Sequence, residues 1–375
     1  MIEVSVVIPC LNEEKSIGSC IQKAQEAFKK MTGTGEVIIV DNGSTDKSVA
    51  IAQALGARVI LEQRKGYGSA LRAGISAAQG SFIIMGDGDD TYDFSIIDQF
   101  VSRLKQGYDL VMGTRFGGTI MPGAMTWAHR YVGNPILSGM LRLFFGGGVS
   151  DAHCGLRAFT KKAYEMMDVH TTGMEFASEM VIHALKKKLK ISEIPITYYP
   201  RLGESKLASF RDAWRHMRFM LIYSPGYLFI LPGLIICVFS FLVSWRLLMG
   251  PIVVFGRGWE THVMVFTSLF TILGWQIITL GIAAKAFAYT IALEEDSWIK
   301  HVLKLVTLER TIVFGLGLIL IGVVMIAYIF YVWSHNHFGE LKEINTGMVA
   351  LTLTVLGFQT IFTAFLTSLL QIRFR

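Results

Sequence analysis

Residues 81–90 of the 375-residue chain read SFIIMGDGDD. The run from Phe82 to Met85 is apolar without alternation, which is typical of a strand that is covered on both faces of its sheet. An acidic turn from Asp87 to Asp90 follows at once. Ligands of α/β folds bind beyond the carboxyl ends of the strands. The stretch therefore predicts an α/β domain with an acidic site at one edge of its sheet.

Further short β-branched runs alternate with helical patterns between Met1 and about Tyr199. This alternation predicts a sheet whose strands are joined by helical crossovers. In addition to Phe82–Met85, we expect strands at Val4–Ile8, Glu36–Val40, Arg58–Leu61, Leu110–Gly113 and Ile191–Thr197.

The acidic turn carries the strongest chemical signal in the chain. Asp87 and Asp89 are one residue apart, so their carboxylates can converge on a hard divalent cation, Mg²⁺ or Mn²⁺, that also binds a diphosphate. A triplet of this kind in isolation is more often a solvated turn. Its position at the end of a buried strand favours the metal site, with Gly88 between the two carboxylates.

Two other predicted strands also end in polar turns. Asp41 leaves an apolar strand and could accept hydrogen bonds from a base or ribose, although Ser44 or Asp46 could instead cap the next helix. Pro9 opens the first turn, and it places Asn12 or Glu13 within reach of a nucleotide.

A basic, glycine-containing segment at residues 64–68, RKGYG, suits close approach of the backbone and Lys65 to phosphate. The segment lacks the third glycine of a dinucleotide fingerprint, since Leu71 stands in its place. This disfavours a nicotinamide-dependent dehydrogenase.

Composition divides the chain after about Arg218. Apolar residues make up 52% and charged residues 17%, and the charged ones concentrate before that point. The remainder holds long apolar stretches, each near the about 20 residues that cross a bilayer. We expect four transmembrane helices at about 227–245, 263–283, 312–333 and 348–370.

Lys and Arg lie mainly on one side of these spans, which predicts a cytosolic first domain by the positive-inside rule. The chain shows no secretory signal pattern at its start, and its four cysteines show no pairing or zinc spacing. We expect a multi-pass protein of a prokaryotic plasma membrane. The net charge of +6 suits anionic lipid and phosphorylated substrates, whereas the sequence lacks the basic, aromatic pattern of nucleic-acid binding. Homo-oligomerisation is left open.

Residues 210–224 place apolar side chains on one helical stripe and three arginines on another. This pattern predicts an interfacial amphipathic helix, with an ordinary packing helix as the alternative. The expected organisation is a domain at 1–209, this helix at 210–224 and a membrane domain at 225–375.

The motifs together resemble glycosyltransferase family two. Residues 6–14 read VVIPCLNEE and residues 40–46 read VDNGSTD, and the acidic triplet follows. The later motifs GTRF at 113–116, DAHCGLRAF at 151–159 and RLGESKL at 201–207 resemble the dolichol-phosphate mannose synthase and polyprenyl-phosphate glycosyltransferase branch, in forms that carry their own membrane spans.

The resemblance implies a GT-A, Rossmann-like nucleotide-sugar domain and an inverting transfer of a hexose from a nucleotide-diphosphate sugar to a polyprenyl phosphate, dolichyl or undecaprenyl. It places Glu13 and Asp41 near the nucleobase or ribose, and Asp87 and Asp89 at the metal. Thr91 stands where the family often has glutamine, so the third metal ligand is left open. The residues expected to act in transfer, most of them by gripping phosphates, are Asp89, Arg115, Arg130, Arg201 and Lys206.

The reaction suits these residue types on chemical grounds as well. A phosphate monoester with a second pKa of about 6 is already an anionic nucleophile at neutral pH, so no strong general base is needed. Arginine offers the planar fork that holds phosphates. Glu179 is a further candidate carboxylate near the acceptor.

Two other functions remain as alternatives. A processive membrane polysaccharide synthase would carry a Q-x-x-R-W motif before the spans, and residues 211–214, RDAW, do not match it. A non-catalytic nucleotide-sugar-binding membrane protein would tolerate loss of the carboxylates and arginines, which this chain retains.

Overall fold

The computed structural model describes residues 2–31, 33–203, 209–254, 256–290, 301–304, 306–340 and 343–371. The chain forms two compact units, Met1–Met220 and Leu221–Arg375.

The first unit is built on a seven-stranded mixed sheet with the order β3-β2-β1-β4-β6-β5-β7. Strands β1, β2, β3 and β4 run parallel, β6 is antiparallel to both of its neighbours, and β5 and β7 are parallel to each other. The strands are β1 Val4–Cys10, β2 Gly35–Asp41, β3 Arg58–Leu61, β4 Phe82–Met85, β5 Leu110–Ile120, β6 Arg157–Thr160 and β7 Ile191–Tyr198.

All six predicted strands are present, and β6 was not predicted. Its four residues, RAFT, contain a single β-branched residue, Thr160, so they lack the β-branched run by which the other strands were recognised. The strand exists because Phe159 and Ala158 pair with β4 on one side and β5 on the other, where both side chains are fully buried.

Helices alternate with the strands along the chain, and one more helix follows β7. They are α1 Ile17–Lys30, α2 Ser48–Ala54, α3 Tyr67–Ala77, α4 Ile97–Lys105, α5 Asn134–Phe145, α6 Lys161–Met167, α7 Phe176–Lys186 and α8 Ser209–Ile222. A 3-10 turn, Phe94–Ile96, precedes α4, and a π-helical turn, His129–Gly133, precedes α5.

The core lies against the middle of the sheet. Every residue of β1 is buried except Pro9, which is half-buried, and this agrees with a strand that is covered on both faces. Ile8, Ile17 and Ile84 belong to one apolar cluster with Phe94 and Phe100, all without solvent exposure. Burial of each such side chain stabilises the fold by about 1.5–3 kcal/mol.

The parallel arrangement brings three strand ends together. In the register of β1 and β2, Cys10 pairs with Asp41, and β4 lies on the other side of β1. The turns that follow β1, β2 and β4 therefore meet at the same edge of the sheet.

The second unit contains four long apolar helices. These are α9 Leu231–Leu248 with the π-helical turn Gly226–Ile230 before it, α10 Thr261–Thr290, α11 Leu308–His335 and α12 Ile344–Leu370. Each is long and apolar enough to cross a membrane, so the four predicted spans are confirmed as helices. A short hairpin, β8 Ile252–Val254 and β9 Arg257–Trp259, lies between α9 and α10.

Small residues allow the apolar helices to pack closely. A Cβ atom on Gly357 would lie 2.6 Å from the backbone oxygen of Gly315, so α11 and α12 approach at these glycines. Hydrogen bonds add specific contacts between Ser244 and Thr267, and between Trp275 and Thr360.

The predicted amphipathic segment is helical as α8. His216 and Met220 form its buried side, whereas Trp214 and Ile222 are exposed. The interfacial role expected from its sequence stays a prediction.

Candidate active site

In the acidic turn after β4, the neighbouring carboxylates of Asp89 and Asp90 have different partners. Asp89 is buried, and its Oδ1 accepts hydrogen bonds from the backbone N–H of Thr91 at 3.1 Å and from the Thr91 hydroxyl at 2.6 Å. Asp90 has a φ of 61° and pairs with Lys23 Nζ at 2.7 Å and Ser19 Oγ at 3.0 Å. Asp90 thus anchors the turn to α1, whereas Asp89 lies with the other site residues.

Close packing holds this turn in place. Ser16 Oγ donates to the carbonyl of Gly88 at 2.7 Å. A Cβ atom on Gly88 would lie 3.2 Å from Ile8 and from the carbonyl of Pro9, and one on Gly155 would lie 2.8 Å from Asp87 Oδ2. Larger side chains at either glycine would displace the carboxylates.

Asp87 has a hydrogen-bond partner that sequence reasoning missed. The Tyr67 hydroxyl, at the start of α3, donates to Asp87 Oδ1 at 2.9 Å. Burial and, to a smaller extent, the charge of Asp89 raise the pKa of Asp87 to about 7, although the Tyr67 hydrogen bond partly opposes both effects. Tyr67 therefore stabilises the ionised form of Asp87.

Arg201 joins two of the predicted site residues. Its Nη2 donates to Glu13 Oε1 at 3.1 Å, and its Nε lies 3.4 Å from Asp89 Oδ2. The Nε atom is buried and makes no hydrogen bond within the described residues. The backbone N–H of Leu202 also donates to the carbonyl of Asp89 at 3.2 Å. The segment after β7 is thereby fastened to the acidic turn.

Asp41 and Asn12 organise the turns after β2 and β1. Asp41 accepts from the N–H of Ser44 at 2.9 Å and of Gly43 at 3.2 Å, a local turn motif that holds its carboxylate at the sheet edge. Asn12 Oδ1 accepts from the N–H of Thr45 at 2.7 Å. The two turns thus form one joined surface.

Lys65 reaches the same surface from the basic segment. Its Nζ donates to the carbonyl of Asn42 at 2.7 Å. The Asn42 amide donates to the carbonyls of Glu62 and Arg64 and accepts from the N–H of Gly66. Asn42 was not singled out as a site residue, yet it fixes the loop that carries Lys65.

Arg115 is held by a buried carboxylate. Its Nε and Nη2 each lie 2.7 Å from one oxygen of Asp151, and its backbone N–H donates to the same side chain at 3.0 Å. The rings of Tyr198 and Phe116 lie beside the guanidinium. This ion pair raises the pKa of Arg115 despite its burial. Two of its nitrogens are therefore engaged in joining β5 to the loop at 151.

Arg157, the first residue of β6, is fully buried and donates to the carbonyls of Cys154, Ala177 and Ala152. Its guanidinium shapes the loop before β6. Glu179 is similarly engaged, because its Oε2 accepts from both N–H and hydroxyl of Thr171 and from the N–H of His170.

The remaining predicted residues lie apart from this cluster or beyond the described ranges. Arg130 is exposed on the π-helical turn before α5, with its guanidinium 5.4 Å from the ring centre of Tyr131. Lys206 lies outside the described residues.

Asp87 and Asp89 offer the oxygen ligands that a hard cation prefers. No group of three His, Cys, Asp or Glu side chains that could enclose a metal occurs in the described part of the chain. Mg²⁺ in phosphate-transfer sites is commonly held by one or two carboxylates together with substrate phosphates and water. Two carboxylates at a sheet edge fit a cation that is shared with a diphosphate.

Sequence patterns identified the strand ends but not their partners. Tyr67, Ser16 and Asp151 lie far along the chain from the groups they bind, and a single sequence holds no signal for those pairings.

Two family models match the chain. Residues 5–167 match "Glycosyl transferase family 2", and residues 282–371 match "Glycosyltransferase family 2 C-terminal transmembrane region". The two matches fall on the α/β unit and on the apolar helices, the two parts that the resemblance predicted.

Curated relatives agree with these matches. The chain is 39% identical over 367 residues to a low-salt glycan biosynthesis hexosyltransferase of Haloferax volcanii, covering 97% of this chain and 88% of that protein. It is 32% identical over 210 residues to a dolichyl-phosphate hexose transferase of the same organism, covering 56% and 88%. It is 29% identical over 296 residues to an undecaprenyl-phosphate 4-deoxy-4-formamido-L-arabinose transferase of Photorhabdus laumondii, covering 76% and 88%. The strand-edge carboxylates and arginine, the apolar helices and these matches together identify the chain as a membrane glycosyltransferase that belongs to glycosyl transferase family 2.

Proposed function

We propose that this protein moves a hexose from a nucleotide-diphosphate sugar to a polyprenyl phosphate, with inversion at the anomeric carbon. Two of its relatives are named for transfer to dolichyl phosphate and undecaprenyl phosphate, and a third is named a hexosyltransferase. Four apolar helices, each long enough to cross a bilayer, support an acceptor that is itself a membrane lipid.

The observation that carries the proposal is the position of Arg201 between Glu13 and Asp89. A transfer between two phosphates needs cationic groups that hold mutually repelling anions close together. Arg201 supplies such a group at the edge where the acidic turn lies, and Arg130 and Lys206 are proposed to assist it.

On the donor side, Asp41, Asn12 and Glu13 are proposed to bind the nucleoside, and Lys65 the diphosphate. Pro9 and Gly88 are proposed to lie against the donor at the same strand ends, where the packing of Gly88 against Ile8 and the Pro9 carbonyl holds the acidic turn in position. A divalent cation held by Asp87 and Asp89 would neutralise charge on the departing diphosphate. Arg115, paired with Asp151, is proposed to hold the β5 end in position for the acceptor phosphate.

The proposed reaction needs no strong base. An oxygen of the acceptor phosphate forms a bond to the anomeric carbon while the bond from that carbon to the diphosphate breaks, and a nucleoside diphosphate leaves. The acceptor is largely ionised at neutral pH because its second pKa is about 6. The chain's residues therefore orient and neutralise rather than remove a proton.

We further propose that the α/β domain, residues 1–209, faces the cytosol of a prokaryote, with residues 210–224 at the plasma-membrane surface and residues 225–375 as the anchor. The asymmetric placement of Lys and Arg around the spans supports this orientation.

A donor panel tests the function. Purified full-length protein is incubated with Mg²⁺ or Mn²⁺, polyprenyl phosphate and radiolabelled UDP- or GDP-hexoses. We expect a chloroform-soluble product carrying one sugar, absent with EDTA. No lipid product across the panel would reject the transferase proposal, and a ladder of sugars on one acceptor would instead favour the processive synthase.

A further inference from the structure

Glu179, on α7, is a buried carboxylate to which the proposed transfer gives no role. Its side chain belongs to a residue that is 1% exposed. Its Oε2 accepts from the N–H of His170 at 3.1 Å, and from the N–H and the hydroxyl of Thr171 at 2.9 and 2.6 Å. Hydrogen bonds to a carboxylate are stronger than those between neutral groups. Glu179 therefore fixes residues 170–173, which we name the 170–173 loop.

The 170–173 loop packs on the start of α3. The first N–H groups of a helix have no partner within the helix and usually need a capping side chain. The residue at the cap position of α3 is Gly66, which has no side chain to offer. The N–H of Ser69, in the first turn, donates instead to the carbonyl of Thr172 at 3.1 Å. The loop thus takes the place of a capping residue.

Two glycines of the basic segment make this approach possible. A Cβ atom on Gly68 would lie 2.6 Å from the carbonyl oxygen of Thr171, and one on Gly66 would collide with the carbonyl oxygen of Thr172. Gly66 also has a φ of 135°, a conformation that glycine adopts readily and other residues do not. The absence of side chains at 66 and 68 therefore leaves room for the backbone of the loop.

Tyr67 lies between these two glycines and is the first residue of α3. Its hydroxyl donates to Asp87 Oδ1 at 2.9 Å. The direction of its side chain depends on where the first turn of α3 is held, and the loop holds that turn. Contacts therefore run without a break from Glu179 through the 170–173 loop and Tyr67 to Asp87.

We propose that Glu179 is a positioning residue for the divalent cation, acting through the loop and Tyr67 on Asp87, and that it does not touch the acceptor. The inference rests on the proposed cation site at Asp87 and Asp89. Loss of a hydrogen bond that orients a metal ligand usually weakens metal binding about 10–100-fold. Glu179 acts one step behind Tyr67, so its removal should weaken cation binding no more than removal of the Tyr67 hydroxyl does.

Binding of Mn²⁺ to the full-length protein with uridine or guanosine diphosphate, followed by electron paramagnetic resonance, tests this path. Glu179→Ala should weaken binding about 10-fold, and Glu179→Gln should weaken it less, because the amide oxygen still accepts hydrogen bonds. In a Tyr67→Phe background, Glu179→Ala should cause no further loss, because the path is already broken. Thr171→Val, which removes only the hydroxyl bond, is a milder second variant. Ser178→Ala on the same helix, which removes a buried hydrogen bond to His216, is the control and should leave Mn²⁺ binding unchanged.

Amide hydrogen exchange tests the loop without any ligand. Glu179→Ala should speed exchange several-fold in the peptide that spans residues 65–72, because the N–H of Ser69 loses its partner, while the peptide of α1 keeps its rate. Unchanged exchange would overturn the inference, and so would losses that add in the double variant. A raised KM for polyprenyl phosphate with unchanged Mn²⁺ binding would assign Glu179 to the acceptor instead. Failure of the parent protein to bind Mn²⁺ would count against the proposed cation site, and the exchange measurement would still decide whether Glu179 holds the loop.

Discussion

Arg201 Nη2 donates to Glu13 Oε1 across 3.1 Å, although 188 residues separate the two in the chain. The same guanidinium reaches Asp89 with its Nε at 3.4 Å. The positive charge of Arg201 therefore lies against the negative charges of two carboxylates, and each carboxylate follows a different strand.

Replacing Arg201 with glutamine should lower kcat/KM for polyprenyl phosphate about 100-fold, the usual effect of losing one charge-stabilising donor. Binding of the nucleotide, measured by calorimetry, should change little, because the proposed donor contacts lie on other residues. Arg103→Gln, at an exposed position of α4, is the control. Equal loss of nucleotide binding and turnover would contradict the assignment of Arg201 to the acceptor.

Asp89 and Asp90 form a matched pair of neighbouring carboxylates. Asp89→Asn should nearly abolish turnover and its response to Mn²⁺, because a neutral amide is a poorer cation ligand. Asp90→Asn should keep turnover and lower stability by about 1 kcal/mol, through its pair with Lys23. Initial rates against Mn²⁺ concentration separate the two, and comparable losses in both variants would refute the distinction.

Tyr67→Phe should weaken cation affinity about 10–100-fold, the usual effect of removing a hydrogen bond to a metal ligand. The ring remains, so packing of α3 should be preserved. Binding of Mn²⁺ in the presence of nucleoside diphosphate can be followed by electron paramagnetic resonance. Unchanged affinity would remove Tyr67 from the site.

Asp151→Ala should lower the free energy of unfolding by about 3–5 kcal/mol, because Arg115 would remain as a buried, unpaired charge. Glu165→Ala on exposed α6 should cost less than about 0.5 kcal/mol. Urea unfolding in detergent measures both. The double variant Arg115→Met/Asp151→Leu should recover much of the loss, and no recovery would show that the pair does more than satisfy its own charges.

Two buried histidines should make a contribution to stability that is lost at acidic pH. Ser178 Oγ lies 2.8 Å from His216 Nδ1 and 3.2 Å from His153 Nε2. Burial lowers the pKa of His216 from 6.5 to about 4 against the opposing charges of Glu175 and Asp212, and burial also lowers that of His153. The unfolded chain therefore binds more protons between these values. The contribution of His216 to stability should be constant above pH 6.5 and be lost towards pH 4, by about 3 kcal/mol, whereas the raised pKa of Asp87 changes stability in the opposite direction over an overlapping range.

Unfolding at pH 8 and pH 5 checks this expectation. His216→Gln should remove the His216 contribution, so the stability of the parent protein relative to this variant should fall from pH 8 to pH 5. The same difference in stability at both pH values would contradict the role of His216.

Local sequence patterns were sufficient for much of the architecture. Apolar runs predicted six strands and four spans, because burial on both faces of a strand or within lipid demands apolar residues over a short, continuous window. The carboxylates at the ends of β1, β2 and β4 could also be assigned to one edge, because parallel strands end on the same side of a sheet.

Tertiary structure decided the rest. It paired β6 between β4 and β5, directed Asp90 to Lys23 while Asp89 faced Arg201, and placed Tyr67 on Asp87. These outcomes depend on contacts between residues far apart in the chain. The energy of such a contact depends on how two packed surfaces fit each other, and the local periodicity of the sequence carries no information about that fit.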